Sequence, residues 1–350
     1  MKKRLLTAVL AGVMALSLVA CSGGNAGTTQ QAPAEEAAEE TAEEAAPAEG
    51  GEAAATEGAW APSTTVSIIV PAGAGGNTDL SARVFAQYAS QLSGVDFIVV
   101  NANGAAGSVA ANQVLDAAPD GHTFLYGHNL VNVANVAGVS DYNYTAFKLG
   151  PTFAKDPAQQ LYVNPEKYDS LDSFIEAAKA APGQLKACTE VGAYTYYELL
   201  LFEQLAGIDL DLVDVGSNSD KVTAMLAGTV DLMPGAFINT KEYIESGQFL
   251  CIGAPTEERY DLIGDFPTLK EQGIDLVYPD CDFSFYFPPE TSDDVIAWYE
   301  NIIQEMQKDP ACLEAIAGVE MEPYYLSAAD SEANDAAYYE VFKSVADSIQ

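Results

Sequence analysis

An α/β fold with mostly parallel sheets covered by helices is what this chain predicts, on three observations. Short β-branched or aromatic runs alternate with amphipathic helical stretches. Glycine-rich turns join the ends of several runs to the helices that follow. Residues 61–350 are also numerous enough for two domains with separate cores.

The clearest unit spans 66–83, VSIIVPAGAGGNTDLSAR. Its β-branched run (Val66, Ile68, Ile69, Val70) stops at Pro71, and Gly73, Gly75 and Gly76 form a turn. Asn77, Thr78 and Asp79 open a helix with Leu80, Val84 and Leu92 on one face. Asn77 and Thr78 are equal candidates for the N-cap. Asp79 has two readings. It either sits in the helix start, favoured by the macrodipole by about 0.3–1 kcal/mol, or aims its carboxylate into a cleft. Unpaired N–H groups at such a helix start attract anions without a basic side chain. The chain has 51 acidic residues against 15 basic ones, so an anion site is expected to rest on backbone and neutral donors.

Further elements follow in order. Strands are predicted at 96–101 (DFIVVN) and 122–127 (HTFLYG), separated by a small-residue helix over 104–118 and the turn Pro119-Asp120-Gly121. Asn129, just past the second strand, is a candidate cleft donor, whereas His122 and His128 read as surface or strand residues. Strands at 161–164, 185–188, 209–215 and 230–233 alternate with helices at 171–181, 194–206, 219–227 and 239–246, most of them stopped by glycine. An aromatic strand at 281–287 (CDFSFYF) precedes helices at 292–308, 310–317 and 328–348.

The N-terminus reads as an export signal. Lys2, Lys3 and Arg4 precede an apolar run of 16 residues, Leu5 to Ala20. That is short for a membrane span of roughly 20 residues and suits a signal h-region. The run ends in Leu18-Val19-Ala20-Cys21, which resembles the bacterial lipoprotein box and implies that Cys21 is lipidated after cleavage of 1–20. Residues 21–60 carry nine glutamates and no Lys or Arg, and read as a disordered acidic tether. The chain is thus expected to be extracytoplasmic and anchored to a membrane rather than spanning it.

Without signal and tether, the remaining residues still carry a net charge of −30. Nucleic-acid binding, which needs Lys and Arg against phosphates, is excluded on that ground. Cys188, Cys251, Cys281 and Cys312 form no CxxC pair and read as buried free thiols. The glycine turn lacks a P-loop lysine, and neither a nucleophile elbow nor a Cys or Ser beside a plausible His is present. No enzyme activity and no cofactor or metal is expected.

Several segments, in order, resemble one family, the solute receptors of tripartite tricarboxylate transporters (Bug-type binding proteins). They are the loop 71–79, NANGAAG at 101–107, APDGHTFL at 118–125, MLAGTVDLM at 225–233, PTLKEQG at 267–273 and SFYFPPET at 284–291. The resemblance covers 66 to about 320. It implies a type II periplasmic-binding-protein fold, with lobe 1 from 61–158 and 283–350, lobe 2 from 159–282, and a solute held between them. It implies permease subunits as partners and a carboxylate-bearing solute as ligand. Two loops would hold that solute: Gly75, Gly76, Asn77, Thr78 and Asp79 in the first lobe, and Thr189, Glu190, Gly192, Ala193, Tyr194 and Thr195 in the second. The second loop departs from the family pattern. Ala193 and Tyr194 replace hydroxyl residues, Tyr196 stands at a His position, Glu190 replaces glycine, and Asp214 falls in the altered segment that follows. If Glu190 and Asp214 face the cleft, each opposes an anion or pairs with a ligand ammonium group. An amino-acid receptor, or a sensing lipoprotein without a permease, therefore stays open as an alternative.

Overall fold

A computed structural model describes residues 59–348. The signal run, Cys21 and nearly all of the tether lie outside the described residues. Among those described, no helix is long and apolar enough to cross a membrane.

The chain runs β1 (Val66–Val70), α1 (Asn77–Ser93), β2 (Phe97–Asn101), α2 (Ser108–Leu115), β3 (Thr123–Gly127), α3 (Leu130–Val136) and β4 (Lys148–Asp156). It continues through β5 (Gln160–Val163), α4 (Leu171–Ala180), β6 (Lys186–Thr189), α5 (Tyr194–Ala206), β7 (Asp211–Asp214), α6 (Asn218–Leu226), β8 (Leu232–Gly235), α7 (Phe237–Glu245) and β9 (Leu250–Gly253). It closes with β10 (Cys281–Phe287), α8 (Asp293–Met306), α9 (Pro310–Ala317), β11 (Glu322–Leu326) and α10 (Ala328–Ser348).

Two sheets result, one per lobe. The first has the order β11-β4-β10-β3-β1-β2 and the second β7-β6-β8-β5-β9. The chain leaves the first sheet between Asp156 and Gln160 and re-enters it at Cys281. The parallel pairs β1–β2, β1–β3, β6–β7 and β6–β8 are those the βα alternation predicts. The sheets are nevertheless mixed rather than mostly parallel. β10 returns from the other lobe and runs antiparallel between β3 and β4, and β5 lies antiparallel between β8 and β9.

Local chemistry accounts for the element ends. Gly94 and Gly207 terminate α1 and α5 at φ 72 and 65, where a side chain would be strained. The predicted helix over 104–118 begins instead as a single tight turn at Ala105–Gly107, and the α-helix starts at Ser108. α3, β4 and β11 are not visible in the sequence periodicity.

The first lobe's core is aromatic. Every residue of β10 is buried, as a strand covered on both faces must be. Phe285 meets Phe85 and Phe124 with ring centroids 4.7 Å apart in both cases. Trp60, at the end of the expected tether, belongs to this body. It packs edge-on to Trp298 and His122 and lies against Tyr299.

Candidate functional site

Three helix N-termini meet where the sheets face each other. Gly76, Asn77 and Thr78 at the start of α1, Ala193, Tyr194 and Thr195 at the start of α5, and Ser217 and Asn218 at the start of α6 line one cleft of about 70 Å³. Each helix start supplies unpaired N–H groups and the positive end of a macrodipole, so the convergence favours an anion.

On the first-lobe wall, Gly76 is the N-cap of α1, and neither Asn77 nor Thr78 caps it. Asn77 instead receives the Thr78 N–H on its own side chain and donates Nδ2 to Asp156 Oδ2 at 2.9 Å. Asp79 resolves to the structural reading. Its carboxylate accepts the Gly75 N–H at 2.8 Å, Arg83 at 2.8 and 2.9 Å, and Asn101 Nδ2 at 2.9 Å. Burial works to raise its pKa, but the Arg83 guanidinium, the Gly75 N–H and the Asn101 amide together hold it below the usual carboxylate range. Asp79 thus braces the loop and does not line the cleft. Gly75 also lies off the cavity; its carbonyl accepts from Asn239 of the second lobe at 2.8 Å. Asn129 is held away too, donating to the Asp280 carbonyl at 2.9 Å.

The second-lobe wall carries a chain of polar contacts. Lys221 Nζ donates to Thr195 Oγ1 at 2.8 Å, and Thr195 Oγ1 lies 2.8 Å from Thr189 Oγ1. Thr189 is wholly buried behind this wall. Glu190 Oε1 accepts the Ala106 N–H at 3.1 Å across the cleft. Gly192 has φ +78 and approaches Ala137 and Val139 of the first lobe. Tyr194 is the tyrosine of the 194–197 segment that faces the cavity; its hydroxyl donates to the Pro279 carbonyl and its backbone carbonyl accepts from Tyr278. Asp214 is exposed and accepts the Val191 N–H at 3.3 Å, so it braces the loop from outside and does not face the cleft.

Lys221 is the residue that sequence reasoning missed. The site does not rest on backbone and neutral donors alone, because Lys221, a residue only 4% exposed, lies in the cleft wall. Burial lowers its pKa, while Cys188, Glu198 and Glu190 oppose that shift. One signal was available: a lysine near the start of a helix works against the macrodipole. His128 corrects a second expectation. It is neither a surface residue nor part of the strand, but lies buried in the cleft wall, edge-on to Tyr194 at 5.2 Å. Burial, with Lys221 nearby, pushes its pKa down to about 3, so the ring is neutral. His128 Nδ1, Gln159 Oε1 and Asn218 Oδ1 are buried here without hydrogen-bond partners. Unpartnered polar atoms around one cavity are what a bound solute would satisfy.

The lobes are closed over this cavity. Besides the Glu190–Ala106 and Asn239–Gly75 bonds, Asn218 Nδ2 reaches Asn77 Oδ1 at 3.4 Å.

Comparison with known proteins agrees with this architecture. The family described as tripartite tricarboxylate transporter family receptor matches residues 81–337. The UPF0065 protein in the gbd 5′ region of Cupriavidus necator is 29% identical over 276 residues, covering 76% of this chain and 81% of its own. Protein BugT of Bordetella pertussis is 27% identical, covering 73% of this chain and 80% of its own. Among solved structures, MatC from Rhodopseudomonas palustris with bound malate aligns with a TM-score of 0.76 at 22% identity, over 81% of this chain and 99% of that one. An R. palustris protein with adipate aligns at 0.74 and 21% identity, over 82% and 98%. At such identities the structures testify to the shared fold. The match over most of the folded chain carries the conclusion that this protein belongs to the tripartite tricarboxylate transporter receptor family, whose members are solute receptors and not enzymes.

Proposed function

We propose that this chain is a lipid-anchored extracytoplasmic receptor that captures a small carboxylate-bearing solute between its lobes and delivers it to a tripartite membrane permease. The observation that carries the reading is the buried Lys221 ammonium amid three converging helix N-termini. A carboxylate placed there neutralises a desolvated cation and meets oriented N–H donors. Relatives of the same fold with malate or adipate bound support the ligand class. Solute bridging both walls stabilises the closed state by its differential affinity, which is how capture becomes a signal to the permease. The basic n-region and the Leu-Val-Ala-Cys box support anchoring through Cys21.

Thermal shift against carboxylates and their primary amides tests the reading. A carboxylate at 100 times its Kd should stabilise by about 2.7 kcal/mol, and the matching amide should not. Equal shifts from acid and amide would sink the carboxylate assignment. Anchoring is tested separately, because Cys21→Ser should move the protein from the membrane fraction to the soluble one.

A further inference from the structure

Two opposite charges line the cleft without meeting. Lys221 Nζ bonds Thr195 Oγ1 and pairs with no carboxylate within 4.0 Å among the described residues. Glu190 is held elsewhere on the wall by the Ala106 N–H. That N–H is presented by a strained turn, since Ala105 and Ala106 have φ 49 and 51. The left-handed region is disfavoured for an L residue, and such strain persists where the surroundings over-determine it, often at ligand sites. Glu198, the other carboxyl near Lys221, is buried with both oxygens unpartnered, and burial raises its pKa well above the usual range. It makes no hydrogen bond or ion pair with Lys221 and does not line the cavity.

The lining of the closed cleft thus carries one lysine and one glutamate that make no ion pair with each other. A dicarboxylate would leave two uncompensated negative charges in a site from which water is displaced, which low dielectric penalises. A zwitterion leaves none and faces each pole with its opposite. We propose that the solute is a small amino acid, its carboxylate on Lys221 and the α5 and α6 N-termini and its ammonium on Glu190. Gln159 Oε1, buried without a partner, is a further acceptor in the same cavity. The inference rests on the cleft's being a carboxylate site and narrows that reading.

The test is calorimetric titration of the full mature chain with the standard amino acids, β-alanine and γ-aminobutyrate, and with malonate, succinate and malate. An amino acid should bind at least about tenfold tighter than any of the dicarboxylates. Glu190→Gln, which keeps an acceptor for the Ala106 N–H, should weaken that amino acid about tenfold or more and erase the preference. A dicarboxylate that binds the wild type more tightly overturns the inference and leaves the carboxylate reading intact. An unchanged preference in Glu190→Gln overturns it as well. If neither class binds, or if simple alkylamines bind as tightly as amino acids, the carboxylate reading falls and this inference falls with it.

Discussion

Asn77 Nδ2 donates to Asp156 Oδ2 at 2.9 Å, tying the first cleft loop to the residue at which the chain leaves the first sheet. The other oxygen of Asp156 has no partner. Burial outweighs the Asn77 bond and pushes the Asp156 pKa from 3.8 to about 7. A folded pKa above the unfolded one means that the folded state binds the proton more tightly. The stability this group contributes is fully present below the unfolded pKa of 3.8 and is lost as pH rises through about 7. Asp335, also pushed to about 7 by burial, has the same sign, while His128 opposes both as pH falls. The clean measurement is therefore a difference between two proteins. Asp156→Asn should be more stable than wild type near pH 8 by on the order of 1 kcal/mol or more, and the gain should vanish near pH 4. A pH-independent difference in denaturant midpoint would refute the assignment.

Lys221→Met removes the cleft's buried cation while keeping a side chain of similar reach. Breaking a buried charge pairing costs about 2–5 kcal/mol in binding, so solute affinity should fall by roughly 30-fold or more. The free protein should lose no stability, because an uncompensated buried ammonium is itself unfavourable. Titration and thermal melts on the same variant separate the two effects. A variant that melts lower while binding as before would make Lys221 a structural residue.

The strand–turn–helix at 66–93 is legible because proline, glycine and β-branched residues act locally. β10 is legible because an unbroken aromatic run suits a strand buried on both faces. β4 is not, since KLGPTFAKD carries Gly150 and Pro151 in its middle, and proline is disfavoured inside sheets. Its register against β10 shifts between Ser284 and Tyr286, where those two residues sit, and a Cβ on Gly150 would lie 2.6 Å from Phe287. The cleft was half legible. The helix starts at 77 and 194 follow from local signals, but the orientation of side chains does not. Glu190 and Asp214 look alike in sequence, and only the packing of the lobes turns one inward and leaves the other outside. Lys221 reads as a solvated helix lysine until a non-local wall buries it.

Trp60 sets a packing limit on the turn before β3. Gly121 has φ +83, and a Cβ there would lie 2.5 Å from the Trp60 ring and 2.8 Å from Val295. Gly94 has a similar φ of +72 with open space around it. Gly94→Ala should cost only the left-handed penalty, about 1–2 kcal/mol. Gly121→Ala should cost that and a further roughly 1–3 kcal/mol of overpacking. Thermal melts of the pair decide whether Trp60 is docked, because equal losses would mean that it is not.

Closure is held in part by Asn239, whose Nδ2 donates to the Gly75 carbonyl at 2.8 Å across the lobes. Neither residue lines the cavity, so Asn239→Ala leaves the solute's own contacts untouched. The bond joins the two lobes across the closed cleft, and an exposed neutral hydrogen bond is worth about 0.5–1 kcal/mol. The variant should therefore bind solute about two- to fivefold more weakly. Because the loss falls on the closed complex, the dissociation rate should rise and the association rate should hold. Stopped-flow fluorescence reads both. A slower association with unchanged dissociation would place this contact in the encounter step instead of in closure.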